Sequence, residues 1–343
     1  MAVQVAIHEK EISDLGVMKR LLVTGGCGFI GSNFIRYFLQ NRPGWGVINL
    51  DKLSYSGNSA NLREMTGSSR YEFVKGDITD KKLVLKLMKK VSAVLHFAAE
   101  THVDRSIESA DDFLRTNILG TAALLEASLL CGIKRFVHMS TDEVYGSIAK
   151  GYADELAPLL PNSPYSASKA SADLLIRSFQ ETFKHPAMIV RCTNNFGPYQ
   201  FPEKVIPLFV TNLLENKTVP LYGNGKNRRD WIYVEDACRA LLLVLEKGKA
   251  GEIYNVGAHH EMSNLDLTRA ILRHFKKGKE MIRYVTDRLG HDLRYAVNFN
   301  KLKRLGFSPR WSFEKGLVAT AKWYGENPGW WQPLKQDKYT VKT

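Results

Sequence analysis

The stretch VTGGCGFIG, residues 23–31, decides the fold of this chain. Gly25, Gly28 and Gly31 lie directly after an apolar run over 20–25 and open an amphipathic segment over 29–40. Glycines at this spacing allow a tight turn, let a pyrophosphate approach the main chain, and let a helix pack closely on the preceding strand. The pattern therefore predicts a strand, a phosphate-binding loop and a helix, which together open a dinucleotide-binding sheet.

Apolar, strand-like runs alternate with helical patterns through the first half of the chain. The runs lie at 20–25, 46–51, 71–77, 93–99, 135–141 and 187–193, and a later run at 252–257 is apolar enough to join them. Helical periodicity is found at 29–40 and 113–131, and later at about 203–216, 234–247 and 263–277. This alternation predicts an α/β fold of Rossmann type, a doubly wound parallel sheet with helices on both faces.

The character of the sequence changes after residue 195, where Pro- and Gly-rich connections become frequent. We expect a first domain over 18–194, which also takes in about 232–260, and a smaller, interleaved C-terminal domain mainly over 195–343. Residues 1–17 lack the basic and apolar stretches of a secretory signal. They are expected to be a disordered extension, an alternative start or a contact in an oligomer.

Composition excludes several classes of function. The four cysteines have no paired spacing, so neither a zinc site nor a disulfide framework is predicted, and we expect no metal. The net charge of +13 comes from scattered basic residues without a recognition motif, so we expect no nucleic-acid partner. No apolar run approaches the roughly 18 residues that a membrane helix needs. The sequence predicts a cytoplasmic protein without a membrane partner.

Acidic residues follow two of the predicted strands. Asp51 ends the second run, where a carboxylate can accept hydrogen bonds from ribose hydroxyls and repel a 2′-phosphate, which favours NAD over NADP. Lys52, beside it, weakens that preference, and a turn-capping role for Asp51 is the alternative. Asp77 and Ile78 end the third run and are predicted to lie against the adenine, although Gly-Asp after a strand is also ordinary turn chemistry.

The stretch PYSASK places Tyr165 and Lys169 four residues apart at the start of a helix, hence on one helical face. A neighbouring ammonium favours the phenolate, so we expect Lys169 to lower the pKa of Tyr165 from its ordinary value of about 10. The pair could then exchange a proton with a hydroxyl that is being oxidised. A coincidental surface pair is the alternative, and the preceding dinucleotide pattern argues against it.

These motifs carry a family resemblance. TGGCGFIG, HFAAETHVD and the Tyr165–Lys169 pair resemble the extended short-chain dehydrogenase/reductase superfamily, and the match is closest to the dTDP-glucose 4,6-dehydratases, from Met18 to about Tyr339. The most specific segments are HVDRSI (102–107), STDEVYG (140–146), SPYSASKA (163–170), NNFGPYQFPEKVIP (194–207), RDWIYVEDA (229–237), DRLGHDLRYA (287–296) and WWQPL (330–334). Leu289 and Leu293 depart from the family's Pro and Arg, and Cys27 stands where Ala is common.

The resemblance implies a reaction for the adjacent carboxylates of STDE. In such a dehydratase the hexose is oxidised at C4, water is lost across C5 and C6, and the hydride returns to C6. The resemblance assigns Asp142 as the acid and Glu143 as the base, and places the Thr141 hydroxyl on the C4 oxygen. Asp142 should then have a raised pKa, through burial and the charge of Glu143. The alternative is that both carboxylates merely cap a loop or helix.

The resemblance also implies NAD as cofactor, a nucleotide sugar as the small-molecule substrate and a homodimer. The implied cofactor-binding residues are Gly25, Gly28, Phe29, Ile30, Gly31, Asp51, Lys52, Ser54, Asp77, Ile78, Phe97, Ala98, Ala99, Thr116, Tyr165, Lys169 and Asn195. The implied substrate-binding residues are Thr101, Thr141, Asn194, Lys204, Val205, Pro220, Tyr222, Arg229, Asn264, Asp287, Arg288, His291 and Tyr339. The implied catalytic residues are Thr141, Asp142, Glu143, Tyr165 and Lys169.

Other functions on the same scaffold remain open. A nucleotide-sugar C4 epimerase or a UDP-glucuronate decarboxylase would share the Gly-rich loop and the Tyr–Lys pair, but neither needs an acid and a base after Thr141. A 4,6-dehydratase acting on UDP-glucose would use the same residues, since the preference for thymidine rests wholly on the resemblance. A cofactor-sensing binding protein would have no use for the full set of catalytic residues.

Overall fold

The computed structural model describes residues 18–336. Its strands are β1 (Lys19–Thr24), β2 (Trp45–Asp51), β3 (Tyr71–Lys75), β4 (Ala93–His96), β5 (Phe136–Thr141), β6 (Ala187–Cys192), β7 (Asn194–Phe196), β8 (Val219–Tyr222), β9 (Arg228–Tyr233), β10 (Ile253–Val256), β11 (Glu261–Ser263) and β12 (Ile282–Val285). The expectations for residues 1–17 lie outside the described residues.

The helices alternate with the strands of the first half. They are α1 (Phe29–Asn41), α2 (Lys81–Met88), α3 (Val103–Glu108), α4 (Asp111–Phe113), α5 (Thr121–Leu130), α6 (Pro164–Phe183), α7 (Val205–Leu214), α8 (Val234–Lys247), α9 (Asn264–His274), α10 (Asn300–Arg304), α11 (Phe313–Glu326) and α12 (Pro328–Gln336). A π-helical turn over Leu114–Gly120 joins α4 to α5, and 3₁₀ turns occupy Ser59–Met65, Asp142–Tyr145 and Lys279–Met281. Within 18–336, no helix is long and apolar enough to cross a membrane.

Seven strands form one parallel sheet in the order β10-β6-β5-β4-β1-β2-β3. The prediction of a Rossmann-type doubly wound sheet is confirmed, including the return of the chain at 253–256 to its edge. The strand order reverses between β1 and β4, because β2 and β3 extend the sheet on one side and β4 on the other. Ligands of such sheets bind at this switch point, beyond the carboxyl ends of the strands.

The sheet is buried on both faces because its strands carry apolar side chains at successive positions. In β1, Leu21 and Val23 pack in the core with α1 and α8, whereas Leu22 packs in the opposite core with α2, α5 and α6. All three side chains are fully buried. A strand covered by helices on both sides needs no polar alternation, which explains the continuous apolar runs of the sequence.

The later part of the chain builds a separate core. Strands β11, β9 and β7 form one small sheet and β12 pairs with β8 in another. Their shared core includes Phe209, Trp231, Leu267 and Leu317. By contrast, α8 and β10 pack on the large sheet. These two cores support the predicted division into a domain over 18–194 with about 232–260 and a second, interleaved domain, which stays a prediction.

Asp230 ties these two parts together. Its buried carboxylate in β9 accepts main-chain hydrogen bonds from Ala258 (3.0 Å), His259 (3.2 Å) and His260 (2.6 Å), just after β10. Replacing Asp230 by Ala leaves three main-chain donors, one buried and two partly buried, without their acceptor, so we expect the free energy of unfolding to fall by about 3 kcal/mol. Urea denaturation measures this. Glu72→Ala, which removes only an exposed ion pair, is the control and should change the value by less than about 1 kcal/mol.

Candidate active site

The Gly-rich loop after β1 has the shape that a pyrophosphate requires. Gly25 has φ of +69°, and a Cβ there would lie 2.6 Å from the Ala98 nitrogen. A Cβ at Gly31 would lie 2.5 Å from the Gly25 oxygen. No side chain caps the start of α1 at Gly28, so the first N–H groups of that helix are open to the adjacent cavity. A close-packed loop at a free, positive helix end suits a bound phosphate.

The carboxylate of Asp51 lies at the end of β2 and also organises this loop. It accepts hydrogen bonds from the main-chain nitrogens of Cys27 (2.9 Å) and Leu53 (2.8 Å). The ammonium of Lys52 lies 3.1 Å from the Glu100 carboxylate. Because Lys52 is already paired, it does not offer a free cation for a 2′-phosphate, and the preference for NAD that Asp51 indicates is strengthened.

One cavity at the switch point gathers nearly all of the predicted cofactor residues. Its lining includes Gly25, Gly28, Phe29, Ile30, Gly31, Asp51, Lys52, Ser54, Ile78, Phe97, Ala98, Ala99, Thr116, Tyr165, Lys169 and Asn195. Asp77 is not among the lining residues. Its carboxylate accepts hydrogen bonds from the Thr79 nitrogen (2.8 Å) and hydroxyl (2.9 Å), so it serves the turn after β3. Both bonds use Oδ1, and the placement of Asp77 against the adenine stays a prediction.

Strand β5 delivers the two adjacent carboxylates to the floor of the same cavity. The strand ends at Thr141, whose hydroxyl accepts a hydrogen bond from the Glu143 nitrogen (3.2 Å) and so caps the following 3₁₀ turn. The hydroxyl also lies 3.3 Å from Asp142 Oδ1. Since Thr141 makes the cap, neither carboxylate is needed for that structural role, and both line the cavity.

The two carboxylates differ in their electrostatic surroundings. Burial, reinforced by the charge of Glu143, raises the pKa of Asp142 well above its ordinary value, in the direction expected from the sequence. Burial also raises the pKa of Glu143, but Arg288, Arg229 and Lys204 oppose that rise. Asp142 Oδ2 is buried and has no hydrogen-bond partner among residues 18–336. The pair therefore favours one protonated and one ionised member.

Helix α6 presents Tyr165 and Lys169 to this floor. Its start is fixed by Pro164 and by a capping box between Ser163 and Ser166. Both Tyr165 and Lys169 are buried. Burial lowers the pKa of Lys169 to about 8.

The expectation that Lys169 lowers the pKa of Tyr165 is wrong for this arrangement of side chains. Burial and the charges of Glu143 and Asp142 raise the pKa of Tyr165 instead. The ammonium of Lys169 donates a hydrogen bond to the Met139 carbonyl oxygen (2.7 Å). The two carboxylates and burial thus outweigh the single cation that the sequence pattern emphasised.

The π-helical turn over Leu114–Gly120 packs against α6 and is hydrogen-bonded to it. Asn117 lies in that turn, and its side chain exchanges hydrogen bonds with the Glu100 main chain (2.9 and 3.1 Å). It also donates to the Ser168 hydroxyl (2.8 Å). The regular helical pattern over 113–131 did not predict this widened turn. Such π-helical turns are often found near functional sites.

A second cavity, of about 640 Å³, adjoins the first and holds most of the predicted substrate residues. The predicted residues in its lining are Thr101, Asn194, Lys204, Val205, Pro220, Tyr222, Arg229, Asn264, Arg288 and His291. Thr141 lines the first cavity instead. Asp287 does not line either cavity but hydrogen-bonds the ring of His291 (2.6 Å). Tyr339 lies outside the described residues.

The two cavities meet at Glu143, which lines both. Arg229, Arg288 and Lys204 supply positive charge to the second cavity. Arg229 is held by the Asp292 carbonyl oxygen (3.0 Å), and its guanidinium carbon lies 4.1 Å from the centre of the Tyr295 ring. Arginine side chains fixed in this way suit the oxygens of a diphosphate.

Several residues at this junction were not identified from the sequence. Glu203 lies in the second cavity with its side chain 1% exposed, and its oxygens lie 3.6 Å from His102 Nε2 and 3.8 Å from Lys204 Nζ. Trp231 and Asp104 also line the cavity. The available signal was an acid directly before Lys204 in an otherwise apolar, Pro-rich connection. Within the described chain, no His, Cys, Asp and Glu side chains cluster as metal ligands do.

The open glycine loop, the Tyr–Lys pair and the adjoining cationic cavity define a Rossmann-type enzyme of the short-chain dehydrogenase/reductase class. The profile of the GDP-mannose 4,6 dehydratase family matches residues 22–320. A dTDP-glucose 4,6-dehydratase of Streptomyces niveus is 52% identical over 321 residues, which cover 92% of this chain and 96% of the relative. The chain belongs to this family of nucleotide-sugar 4,6-dehydratases, as the sequence motifs predicted.

Solved structures agree with this assignment. A dTDP-glucose 4,6-dehydratase from Streptomyces venezuelae, crystallised with NAD bound, has a TM-score of 0.90 and 51% identity, covering 92% of this chain and 99% of its own. A UDP-glucose 4-epimerase from Thermotoga maritima has a TM-score of 0.84 and 31% identity, covering 90% and 99%. The fold is thus shared with epimerases, so the site has to distinguish the two reactions.

Proposed function

We propose that this chain is an NAD-dependent dTDP-glucose 4,6-dehydratase, a hydro-lyase that forms dTDP-4-dehydro-6-deoxyglucose. The observation that carries the proposal is the pair of adjacent carboxylates, Asp142 and Glu143, in the wall of the first cavity where it meets the second. Of the two, only Asp142 has a strongly raised pKa. An epimerase needs no such pair. The relatives of about 50% identity with this name support the same reaction.

The cofactor assignment rests on the fit of the first cavity. Gly25 and Gly31 keep the loop free of side chains that would exclude a pyrophosphate, and the Asp51 carboxylate, which lines the same cavity, would accept hydrogen bonds from the ribose hydroxyls. NAD would supply the removal of a hydride from C4 of the hexose and its return to C6, so no net oxidant is consumed. The chain's own residues then have to bind the sugar, move protons and exclude water.

Proton transfer at C4 falls to the residues around α6 and β5. We assign Tyr165, in its phenolate form, as the group that takes the C4 hydroxyl proton, since its oxygen lies at the cavity floor beside Glu143 and Thr141. Burial and the nearby carboxylates raise its pKa in the chain alone, so the positive charge that NAD would bring to this cavity is needed to favour the phenolate. Thr141 would donate a hydrogen bond to the C4 oxygen. Oxidation at C4 makes the C5 proton acidic, which prepares the elimination.

Loss of water requires a base and an acid on the two neighbouring carbons. Glu143, with three cations opposing the effect of burial on its pKa, is suited to be the carboxylate that takes the C5 proton. Asp142, whose raised pKa keeps it protonated, is suited to give its proton to the departing C6 hydroxyl. The balance closes when the hydride is returned to C6 and Glu143 gives its proton back to C5. The proton that Tyr165 took from the C4 hydroxyl then replaces the one that Asp142 gave up, so the net change is the loss of one water.

Substrate binding is assigned to the second cavity. The cations Arg229, Arg288 and Lys204 would neutralise the diphosphate, and the remaining predicted lining residues would contact the nucleoside and sugar. Lys204 also donates to the Thr101 carbonyl oxygen (3.3 Å), which links the cavity wall to the predicted sugar contact at Thr101.

Incubation of the purified protein with dTDP-glucose, UDP-glucose and UDP-galactose tests the proposal. We expect a product 18 mass units lighter from dTDP-glucose, without added oxidant, which is the mass of one water. An unchanged mass with a new stereoisomer would instead identify an epimerase. Equal dehydration of UDP-glucose would remove the thymidine preference but keep the reaction.

We propose that the protein is a homodimer. Large apolar side chains are exposed on the π-helical turn and on α6, with Leu114 at 47%, Leu119 at 62% and Leu174 at 55%. Exposed apolar side chains on two adjacent helical segments suit packing against a second copy. Leu119→Glu with Leu174→Glu should convert the dimer to a monomer in sedimentation velocity. Leu156→Glu, at an exposed site outside these two segments, should leave the dimer intact.

We propose a cytoplasmic location. All four cysteines, Cys27, Cys131, Cys192 and Cys238, are free thiols, and three of them are buried. Unpaired thiols are usual in the reducing cytoplasm, where disulfides rarely persist. The dependence on NAD is in keeping with the same compartment.

A further inference from the structure

A buried imidazole beneath the active site has no role in the reaction assigned above. His138 lies in β5, three residues before Thr141, and is 1% exposed. Its Nε2 is 3.1 Å from Lys169 Nζ. Its Nδ1 has no hydrogen-bond partner among residues 18–336. An apolar residue would avoid the free energy lost at a buried, unpaired nitrogen, so the imidazole needs another explanation.

The geometry around Lys169 gives that explanation. An ammonium has three N–H donors. One is taken by the Met139 carbonyl oxygen (2.7 Å) and a second by His138 Nε2. The third remains available to the cofactor cavity, which Lys169 lines. Two fixed acceptors inside the fold therefore determine the direction of the third donor.

Other charged and titratable groups surround this contact. Asp173, one turn after Lys169 on α6, raises the pKa of Lys169, whereas burial lowers it. Asp173 is paired with Arg191 of β6 (2.8 Å). His96 of β4 packs against His138 with ring centres 4.9 Å apart and ring planes tilted by 47°, and burial keeps both imidazoles neutral by lowering their pKa. Tyr165, on the same helix as Lys169, lies on the cavity side.

We propose that His138 is a positioning residue for Lys169: its neutral imidazole accepts a hydrogen bond from the ammonium through Nε2 and, with the Met139 oxygen, aims the remaining N–H into the cofactor cavity. The imidazole therefore carries its proton on Nδ1. This inference rests on the proposed function only for its consequence in catalysis. The contact itself involves residues of this chain alone.

Two substitutions with side chains of nearly equal length test whether the hydrogen-bond acceptor at His138 is what matters. His138→Gln can offer an amide oxygen near the former Nε2, whereas His138→Met fills similar space without a comparable acceptor. The same pair at His96 is the matched control, because His96 is equally buried, is adjacent to His138 in the sheet register, and bonds Thr24 and Thr121 rather than Lys169. Circular dichroism checks that each variant is folded.

The first readout is the titration of Lys169, followed by NMR of ε-¹³C-lysine in protein without sugar, with the resonance assigned by its loss in Lys169→Met. Removing an acceptor disfavours the ammonium, so the pKa of Lys169 should fall by about one unit in His138→Met relative to His138→Gln. Both His96 variants should keep the wild-type titration. Identical titrations in the two folded His138 variants, or the same fall in His96→Met, would overturn the proposal.

The second readout is the dissociation constant for NAD, measured without substrate. We expect about a ten-fold weaker affinity for His138→Met and near wild-type affinity for His138→Gln, the size expected for one charged hydrogen bond. Equal weakening in both would show that the acceptor is not what matters. If the wild-type protein fails to dehydrate any nucleotide sugar, the proposed function fails while these two comparisons still decide the role of His138.

Discussion

Asp142→Asn should bind dTDP-glucose and oxidise it at C4, yet release 4-dehydro-6-deoxy product about 10²–10⁴ times more slowly than the wild type. The amide cannot deliver the proton that the departing C6 hydroxyl requires. The raised pKa of Asp142 is what provides this proton at neutral pH, and it arises from burial and from Glu143. The C5 proton should still exchange, because the proposed base is untouched. Mass analysis in D₂O would show deuterium incorporated into sugar that has lost no water.

Glu143→Gln distinguishes the role of the proposed base from that of the proposed acid. This variant should lose both C5 exchange and dehydration, since no carboxylate remains to take the proton. Asp292→Asn is the control, because it removes the same charge from another buried carboxylate. Asp292 raises the pKa of Glu143 but does not line either cavity, and its side chain accepts a hydrogen bond from the Tyr295 hydroxyl (2.7 Å). This control should retain most of the dehydration. Normal dehydration by Asp142→Asn, or normal C5 exchange by Glu143→Gln, would contradict the assignment.

The same pair determines the pH dependence of elimination. Asp142 must be protonated, so the rate of water loss should fall as pH rises through its raised pKa. Glu143 must be ionised, so the rate should also fall as pH drops below its own pKa, which burial likewise raises above the ordinary range of a glutamate. The profile should therefore be a bell, with limbs that belong to the coupled pair. Single-turnover measurements across pH test this.

The sequence predicted the parts of the fold that local pattern determines. All seven strands of the main sheet lie where strand-like runs occur, and the inner strands were clearest because strands covered on both faces have no alternation to obscure them. The edge strand β3 is only partly buried, so its run is less apolar. Gly25 and Gly31 were recognisable because backbone crowding leaves no room for a Cβ. The late strand at 253–256 was predicted to join the sheet from its apolarity alone.

Other features depend on neighbours that are remote in sequence. Asp77 was predicted to lie against the adenine, with turn chemistry as the alternative. Its Oδ1 bonds Thr79 in the turn after β3, and its contact with the adenine stays a prediction. The pKa of Tyr165 was judged from Lys169 four residues away, whereas burial and the two carboxylates that follow β5 decide its direction. Glu203 and His138 were missed because a single acid or histidine shows no pattern until the fold surrounds it.

Replacing Tyr165 by Phe tests the earliest chemical step. The change removes one oxygen from a buried ring that packs against Phe113, so the fold should be retained. Without the phenol, the proposed acceptor of the C4 hydroxyl proton is gone, and C4 oxidation should slow by about 10²–10⁴. Because acidity at C5 depends on the C4 ketone, exchange at C5 and dehydration should disappear together. This result distinguishes Tyr165→Phe from Asp142→Asn, in which exchange continues.

Tyr145→Phe is the matched control, because Tyr145 follows Glu143 by two residues and is also buried. Its hydroxyl donates to Asn255 (2.8 Å) and accepts from Arg191 (2.9 Å), inside the fold and away from the two cavities. Its loss should lower the melting temperature while C4 oxidation proceeds. For Tyr165→Phe the pattern should be the reverse, with a melting temperature and NAD content near wild type and no absorbance of reduced nicotinamide after dTDP-glucose is added. Rapid C4 oxidation by Tyr165→Phe would show that another group takes the hydroxyl proton.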